Sequence, residues 1–172
     1  MDTGETKIRL ATETDLAAIN SIYDYYVLNS TCTFQTEPDT EEDRAKWFAA
    51  HDSLHPITVA VNESEIVAWA SLSHYHHRSA YQHTVEDSVY VRNDMRNRGI
   101  GTILLADLIQ RAETHGHHSI VAIIAADQTG SIRLHQRFSF LKAGQISEAG
   151  YKFDKWLDVI FMQRMLSQQK KE

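Results

Sequence analysis

The sequence predicts one α+β domain with a largely antiparallel sheet, and three observations carry that reading. The chain has 172 residues, 42% of them hydrophobic, which suits a single core of ordinary size. Helical and strand-like periodicities follow one another in mixed order. Three β-rich segments also succeed each other without a helix between them, as antiparallel neighbours do.

The elements follow in order. Residues 7–11 form a short strand candidate, and Thr14-Asp15 offers a cap before Leu16, Ile19, Ile22, Tyr23 and Tyr26 recur at helical spacing. Residues 29–39 read as a loop ended by Pro38, in which Phe34 either plugs the core or lines a pocket. From Thr40 an acidic first turn followed by Trp47-Phe48 predicts a short helix. Segments 57–61, 65–75 and 83–91 are rich in β-branched and aromatic residues, with turn-like Asn62-Glu63-Ser64 between the first two. Ile103, Leu104, Leu108 and Ala112 predict a helix over 100–115 that Gly116 stops. The apolar run 119–127 predicts a central strand buried on both faces. Residues 129–138 return to helical spacing, and the segments FLKAGQI and KWLDVIFMQRML finish the sheet. The domain spans 1–172, with an ordered core over 7–166 and a frayed tail at 167–172.

Composition narrows the function. Lys and Arg total 17 against 23 Asp and Glu, a net charge of -6, which argues against a nucleic-acid binder. Cys32 is the only cysteine, so a disulfide framework and a Cys-based zinc site are both excluded, and the expected compartment is the cytoplasm. The polar N-terminus does not read as a signal peptide, and no apolar run reaches the roughly 20 residues that span a bilayer. Clusters at His74, His76, His77 and at His115, His117, His118 carry no carboxylate at ligand spacing and read as surface or cleft-rim histidines, so no metal is expected.

Arg96-Asn97-Arg98-Gly99-Ile100-Gly101-Thr102 lies between a predicted strand and a helix start. Converging N–H groups, close backbone approach at glycine and the helix dipole all favour an anion there, a diphosphate above all. The segment lacks the Lys-Ser or Lys-Thr of a Walker loop and the third glycine of a dinucleotide fingerprint. Alone it is also compatible with a glycine turn bearing surface arginines.

Taken with AADQTGSIRLHQRF, the loop resembles that of GNAT-type N-acetyltransferases. STCTFQTEP (30–38), RSAYQHTVEDSVYV (78–91), SIRLHQRFSF (131–140) and GYKFDKWLDVIFMQ (150–163) resemble the subgroup acetylating phosphinothricin, methionine sulfone and methionine sulfoximine. The resemblance implies a three-layer α/β/α GNAT fold with a mostly antiparallel mixed sheet, splayed strands and flanking helices. It implies acetyl-CoA as co-substrate, without a metal, and direct attack by the primary amine of a small amino acid or analogue in a ternary complex. It places pyrophosphate on 96–102 and further cofactor contacts at Val89, Tyr90, Val91, Gln128 and Ser131, and it makes a homodimer the expected assembly.

An amine of pKa roughly 8–10 must lose a proton before it attacks, and Glu86 occupies the base position of the resembled family. Adjacent Asp87 competes, but neighbours on a strand face opposite sides, so only one of the two should face the cleft. His135, seven residues after Gln128, is the candidate proton donor to the leaving thiolate, or else a packing residue. Gln128 stands where the family usually has Asn, and Ser139 where it usually has Gly. Arg78, with Phe34, Tyr81 and Thr84 around it, is the expected acceptor pocket, its guanidinium pairing with a substrate carboxylate. The alternatives are a GNAT acting on another small amine or a protein N-terminus, and a non-catalytic CoA-binding sensor.

Overall fold

A computed structural model describes residues 6–166; the expected frayed tail at 167–172 lies outside the described residues. The strands are β1 (Lys7–Leu10), β2 (Ile57–Asn62), β3 (Glu65–His74), β4 (Thr84–Val91), β5 (Ser119–Ala125), β6 (Leu141–Lys152) and β7 (Lys155–Met165). The helices are α1 (Leu16–Asn29), α2 (Glu41–Ala49), α3 (Ile100–Thr114) and α4 (Thr129–Arg137). The sheet order is β1-β2-β3-β4-β5-β7-β6, and every neighbouring pair is antiparallel except β4 with β5. Among the described residues no helix is long and apolar enough to cross a membrane.

Helices cover both faces of the sheet. On one face, Ile19, Ile22 and Tyr26 of α1 pack on Val59 and Trp69. On the other, Leu104, Leu105 and Leu108 of α3 meet Ala70, Leu72, Val85 and Ile120, with Ile132 and Leu134 of α4 joining them. Small Ala68 and Ala70 in β3 let α3 approach the sheet closely. The entry to α1 differs from expectation. A 3-10 turn, Glu13–Asp15, precedes the helix; Asp15 accepts from the Thr12 N–H at 2.8 Å and pairs with Arg9 at 2.6 Å, so Thr12 rather than Thr14 opens the element.

Two-residue turns close both long hairpins. Glu63 and Ser64 (φ 47° and 71°) join β2 to β3, and Phe153 and Asp154 (φ 50° and 57°) join β6 to β7. Positive φ at both turn residues gives the twist that antiparallel strands need.

Two strands depart from the sequence expectation. Ile123 of β5 is 39% exposed, so the strand is not buried on both faces; its neighbour β4 has already diverged at that level. β6 runs to Lys152, well past FLKAGQI, through register shifts at Lys142/Gly144 and Ile146/Gly150. Its polar second half, SEAG, carries no alternation that a sequence pattern detects.

Ser139 follows the end of α4 with φ 62°, and its N–H donates to the Gln136 carbonyl at 3.0 Å. A β-carbon in this left-handed conformation costs ~1–2 kcal/mol, partly offset by the larger entropy that glycine loses on ordering. The turn is therefore kept at a cost where the resembled family has glycine. Ser139→Gly is expected to stabilise the fold by about 0.5–1 kcal/mol, measured as a higher urea midpoint at unchanged slope.

Candidate active site

β4 and β5 pair only at Thr84↔Ser119, Val85↔Ile120 and Glu86↔Val121. Beyond Glu86 they part, and a cavity of about 850 Å³ opens between residues 88–91 on one side and 122–125 on the other. From residue 87 onward one edge of β4 has no strand partner, leaving peptide groups for a guest. Val89, Tyr90 and Val91 all line this cleft. The Val91 carbonyl already accepts from the Tyr26 hydroxyl, a phenol that burial pushes up to about 12.

The cleft mouth is the start of α3. Gly99 caps the helix with φ 80°, Asn97 has φ 62°, and the Gly99 carbonyl accepts from Thr102 and Ile103. The N–H groups of Ile100 and Gly101 precede the first helical acceptor and remain available, the geometry of an anion site. Arg96, Asn97 and Thr102 line the cleft, and so does Arg137 from α4, which sequence reading passed over. Arg98 is turned away toward the Asp94 carbonyl at 3.4 Å. Gly101 is less open than expected of a glycine chosen for ligand approach: a Cβ there would meet Leu134 Cδ2 at 3.4 Å, so its small size also serves the α3–α4 contact.

Glu86 sits at the apex of the splay. Its carboxyl is raised from the ordinary 4.5 to about 7 by burial and secondarily by the Asp87 charge. No hydrogen bond or ion pair relieves it among the described residues. Asp87 faces the other way, as strand alternation requires, and its Oδ2 meets His135 Nε2 at 2.9 Å.

His135 is 3% exposed and lies edge-on to Phe140. Its Nδ1 donates to the Ser131 carbonyl at 2.8 Å, since a carbonyl can only accept. Burial lowers its pKa, but the charge and hydrogen bond of Asp87 outweigh this and hold it above the ordinary value. Both ring nitrogens are thus engaged, Nε2 with Asp87 and Nδ1 with the Ser131 carbonyl, and the Ser131 hydroxyl lies 3.4 Å from Nδ1.

The remaining expected residues divide. Phe34 lines the cleft. Gln128 also lines it, but its Nε2 donates to Thr31 Oγ1 at 2.8 Å, and Ser131 stands beside it. Thr84 is below the apex, bonded to Ser119 at 3.2 Å. Arg78 lines a separate hollow with residues 74–79 and Gln82, and beside it the Tyr81 ring lies tilted against His76, centroids 4.9 Å apart. The pocket expected around Arg78 is therefore divided, because the β3–β4 connection carries Arg78 and Tyr81 to the outer rim. The histidines need correction too. His117 is buried, donating from Nε2 to the Leu54 carbonyl at 2.8 Å, and exposed His74 lies tilted against buried His55, ring centroids 3.7 Å apart. Among the described residues no group of three or more His, Cys, Asp or Glu is arranged to hold a metal ion.

Residues that sequence reading missed are Tyr26, Thr33, Asp127, Arg137 and Lys152. Thr33 accepts or donates at 2.7 Å with Tyr23, Asp127 accepts from Thr31 at 2.7 Å, and Lys152 donates to the carbonyls of Ser30 and Thr33. The partners of Tyr26, Asp127 and Lys152 lie 65 to 122 residues away in sequence, so no local spacing signals them; Thr33 and Tyr23 are ten residues apart but in different elements.

Comparison with known proteins agrees with this geometry. Residues 8–161 match the acetyltransferase (GNAT) domain. The chain is 40% identical over 158 residues to an L-methionine sulfoximine/L-methionine sulfone acetyltransferase of Pseudomonas paraeruginosa, covering 91% of this chain and 92% of the relative. It is 36% identical to a phosphinothricin N-acetyltransferase of Alcaligenes faecalis, covering 93% and 82% respectively. A phosphinothricin acetyltransferase structure from Sinorhizobium meliloti, solved in complex with acetyl-CoA, superposes with a TM-score of 0.91 at 32% identity, over 97% of this chain and 91% of that one.

The Glu86 carboxyl generates a prediction. Its folded pKa lies above the unfolded one, so its proton stabilises the fold fully below the unfolded value, and this contribution is lost as pH rises through about 7. Carboxyl NMR should show Glu86 titrating near neutrality. Relative to wild type, Glu86→Gln should gain thermal stability as pH goes from 5 to 8; a difference independent of pH would contradict the burial of this carboxylate.

Proposed function

The chain belongs to the GNAT acetyltransferase family, with acetyl-CoA as co-substrate, and on that basis we propose that it acetylates the primary amine of a small amino acid or analogue of the methionine sulfone, methionine sulfoximine or phosphinothricin kind. The observation that carries the reading is the half-buried Glu86 carboxyl, without a hydrogen-bond or ion-pair partner among the described residues, at the point where β4 and β5 part. With its pKa near 7 it takes a proton from an ammonium group at neutral pH without holding that proton irreversibly. The amine so freed attacks the thioester directly.

Acetyl-CoA enters with its diphosphate on the start of α3, where Ile100 and Gly101 donate and Arg96 adds charge. Its pantetheine arm runs along the open edge of β4 at Val89, Tyr90 and Val91. Peptide N–H groups on that edge stabilise charge developing on the thioester oxygen. Phe34 and Thr33 border the acceptor. His135 acts through Asp87: its ring engages Asp87 Oδ2 at 2.9 Å and so offsets the Asp87 charge that raises the Glu86 pKa.

We also propose a homodimer in the cytoplasm. The β6–β7 hairpin exposes Leu141, Ile146, Tyr151, Phe153 and Trp156, the last at 62%, an apolar surface that a second copy would cover. The cytoplasm is where acetyl-CoA is supplied to a co-substrate site of this kind. Sedimentation equilibrium should return about twice the 19.7 kDa chain mass.

Turnover of acetyl-CoA with methionine sulfone, methionine sulfoximine and phosphinothricin tests the substrate class, against protein N-terminal peptides and simple amines as controls. Glu86→Gln should lower kcat by about 10²–10⁴ while KM for acetyl-CoA stays nearly constant. The limb near pH 7 in the wild-type kcat/KM profile should vanish in that variant. Turnover within a few-fold of wild type would remove Glu86 from the chemical step.

A further inference from the structure

The segment between α1 and α2 carries three cleft-lining residues, Cys32, Thr33 and Phe34, and is pinned from two directions. At its start Thr31 Oγ1 donates to Asp127 Oδ2 at 2.7 Å and accepts from Gln128 Nε2 at 2.8 Å. From the far side, Lys152 Nζ donates to the carbonyls of Ser30 and Thr33, both at 2.8 Å, across about 120 residues of chain. Two residues earlier on β6, Gly150 leaves the space that the Phe34 ring fills; a Cβ there would come within 2.4 Å of Phe34 Cδ2.

Lys152 is only 5% exposed, and no carboxylate lies within ion-pair distance among the described residues. Its other neighbours are the Phe153 ring, 5.0 Å from Nζ, and the Cys32 thiol. An ammonium buried without a counter-ion is a costly choice where an apolar chain of equal length would fill the space. What the lysine adds is direction: two charge-assisted bonds fix carbonyls three residues apart and so fix the turn between them.

We propose that Lys152 is a positioning residue for acceptor selection: its clamp on Ser30 and Thr33, with the gap at Gly150, holds Phe34 in the cleft wall and makes the β6–β7 hairpin a determinant of which amine fits. The proposal rests on the reading of Phe34 as part of the acceptor side of the cleft. Among the described residues Lys152 Nζ bonds the Ser30 and Thr33 carbonyls and none at the start of α3, so the clamp acts on the Phe34 side of the cleft.

Steady-state kinetics with methionine sulfone and acetyl-CoA decide the matter. Lys152→Met keeps the length of the side chain and removes the clamp; KM for methionine sulfone should rise tenfold or more, KM for acetyl-CoA should stay within twofold, and the limb near pH 7 should persist. Gly150→Ala, which pushes the Phe34 ring without touching the lysine, should give the same split, and adding Phe34→Leu should bring the acceptor KM back to that of Phe34→Leu alone. If Lys152→Met fails to fold, Lys152→Gln, whose shorter neutral amide cannot hold both carbonyls, takes its place with the same expected split. Equal changes in both KM values, or a loss of stability with neither KM changed, would reduce Lys152 to a structural role and overturn the proposal. A changed acceptor KM in Phe34→Leu with none in Lys152→Met or Gly150→Ala overturns the clamp. No acceptor effect in any of them overturns the pocket reading itself.

Discussion

Two parallel strands that part in the middle of a sheet forfeit a hydrogen bond at every step, and the rest of this molecule is arranged around that loss. β4 keeps β3 on one edge along its whole length, from Val85↔His74 to Val91↔Ala68, while β5 keeps β7 from Ser119 to Ala125. Each half of the sheet is therefore complete on its outer side, and the separation costs only the inner edges. Tyr26 satisfies the Val91 carbonyl from α1, and the remaining inner groups of β4 face a cleft that water or a thioester can enter. The same separation exposes Ile123, so a hydrophobic residue in a central strand becomes cleft wall rather than core.

The splay also sorts the charges. Glu86 and Asp87 are adjacent, and the pleat sends one to each face. On the α3–α4 face Asp87 meets a histidine whose other nitrogen is tied to its own helix, so that carboxylate is paired. On the opposite face Glu86 meets no partner and shares the burial of the apex, which is why its affinity for a proton rises. Two carboxylates one residue apart thus acquire different chemistry from geometry alone, one as a fixed counter-ion and one as a group able to exchange its proton near neutrality.

How much of this was legible in the sequence depends on the range of the interaction. Helix α3, its glycine cap and the donor-rich turn before it are local, and RNRGIGT announces them through residue type and order. The alternation that sets Glu86 against Asp87 is equally local. Ladders joining distant strands are less so: the exposure of Ile123 follows from where β4 stops pairing, and the second half of β6 is held by β7 in spite of its polar residues. Arg78 lines a separate hollow for a related reason: closeness in sequence to the Glu86 strand does not bring a residue of the β3–β4 connection into the cleft. His135 was recognised as important, yet its orientation depends on Asp87, 48 residues away, and on a backbone carbonyl of its own helix.

The cleft wall that carries Phe34 is the extreme case, because its place depends on contacts far apart in sequence. The cleft mouth at the start of α3 is built from consecutive residues, so its geometry varies little with the rest of the chain. The loop bearing Phe34 has no secondary structure of its own; its place is set by Gln128 and Asp127 on one side and by the β6–β7 hairpin on the other. A change in either support shifts the loop without disturbing Glu86, which is anchored in the sheet at the last β4–β5 pair. Glu86 and the Phe34 loop are therefore mechanically separate: the carboxyl rests on a ladder of strand pairs, the loop on a few long-range polar contacts. On the reading proposed above, substitutions in the hairpin alter the fit of the acceptor while Glu86 keeps its place in the sheet.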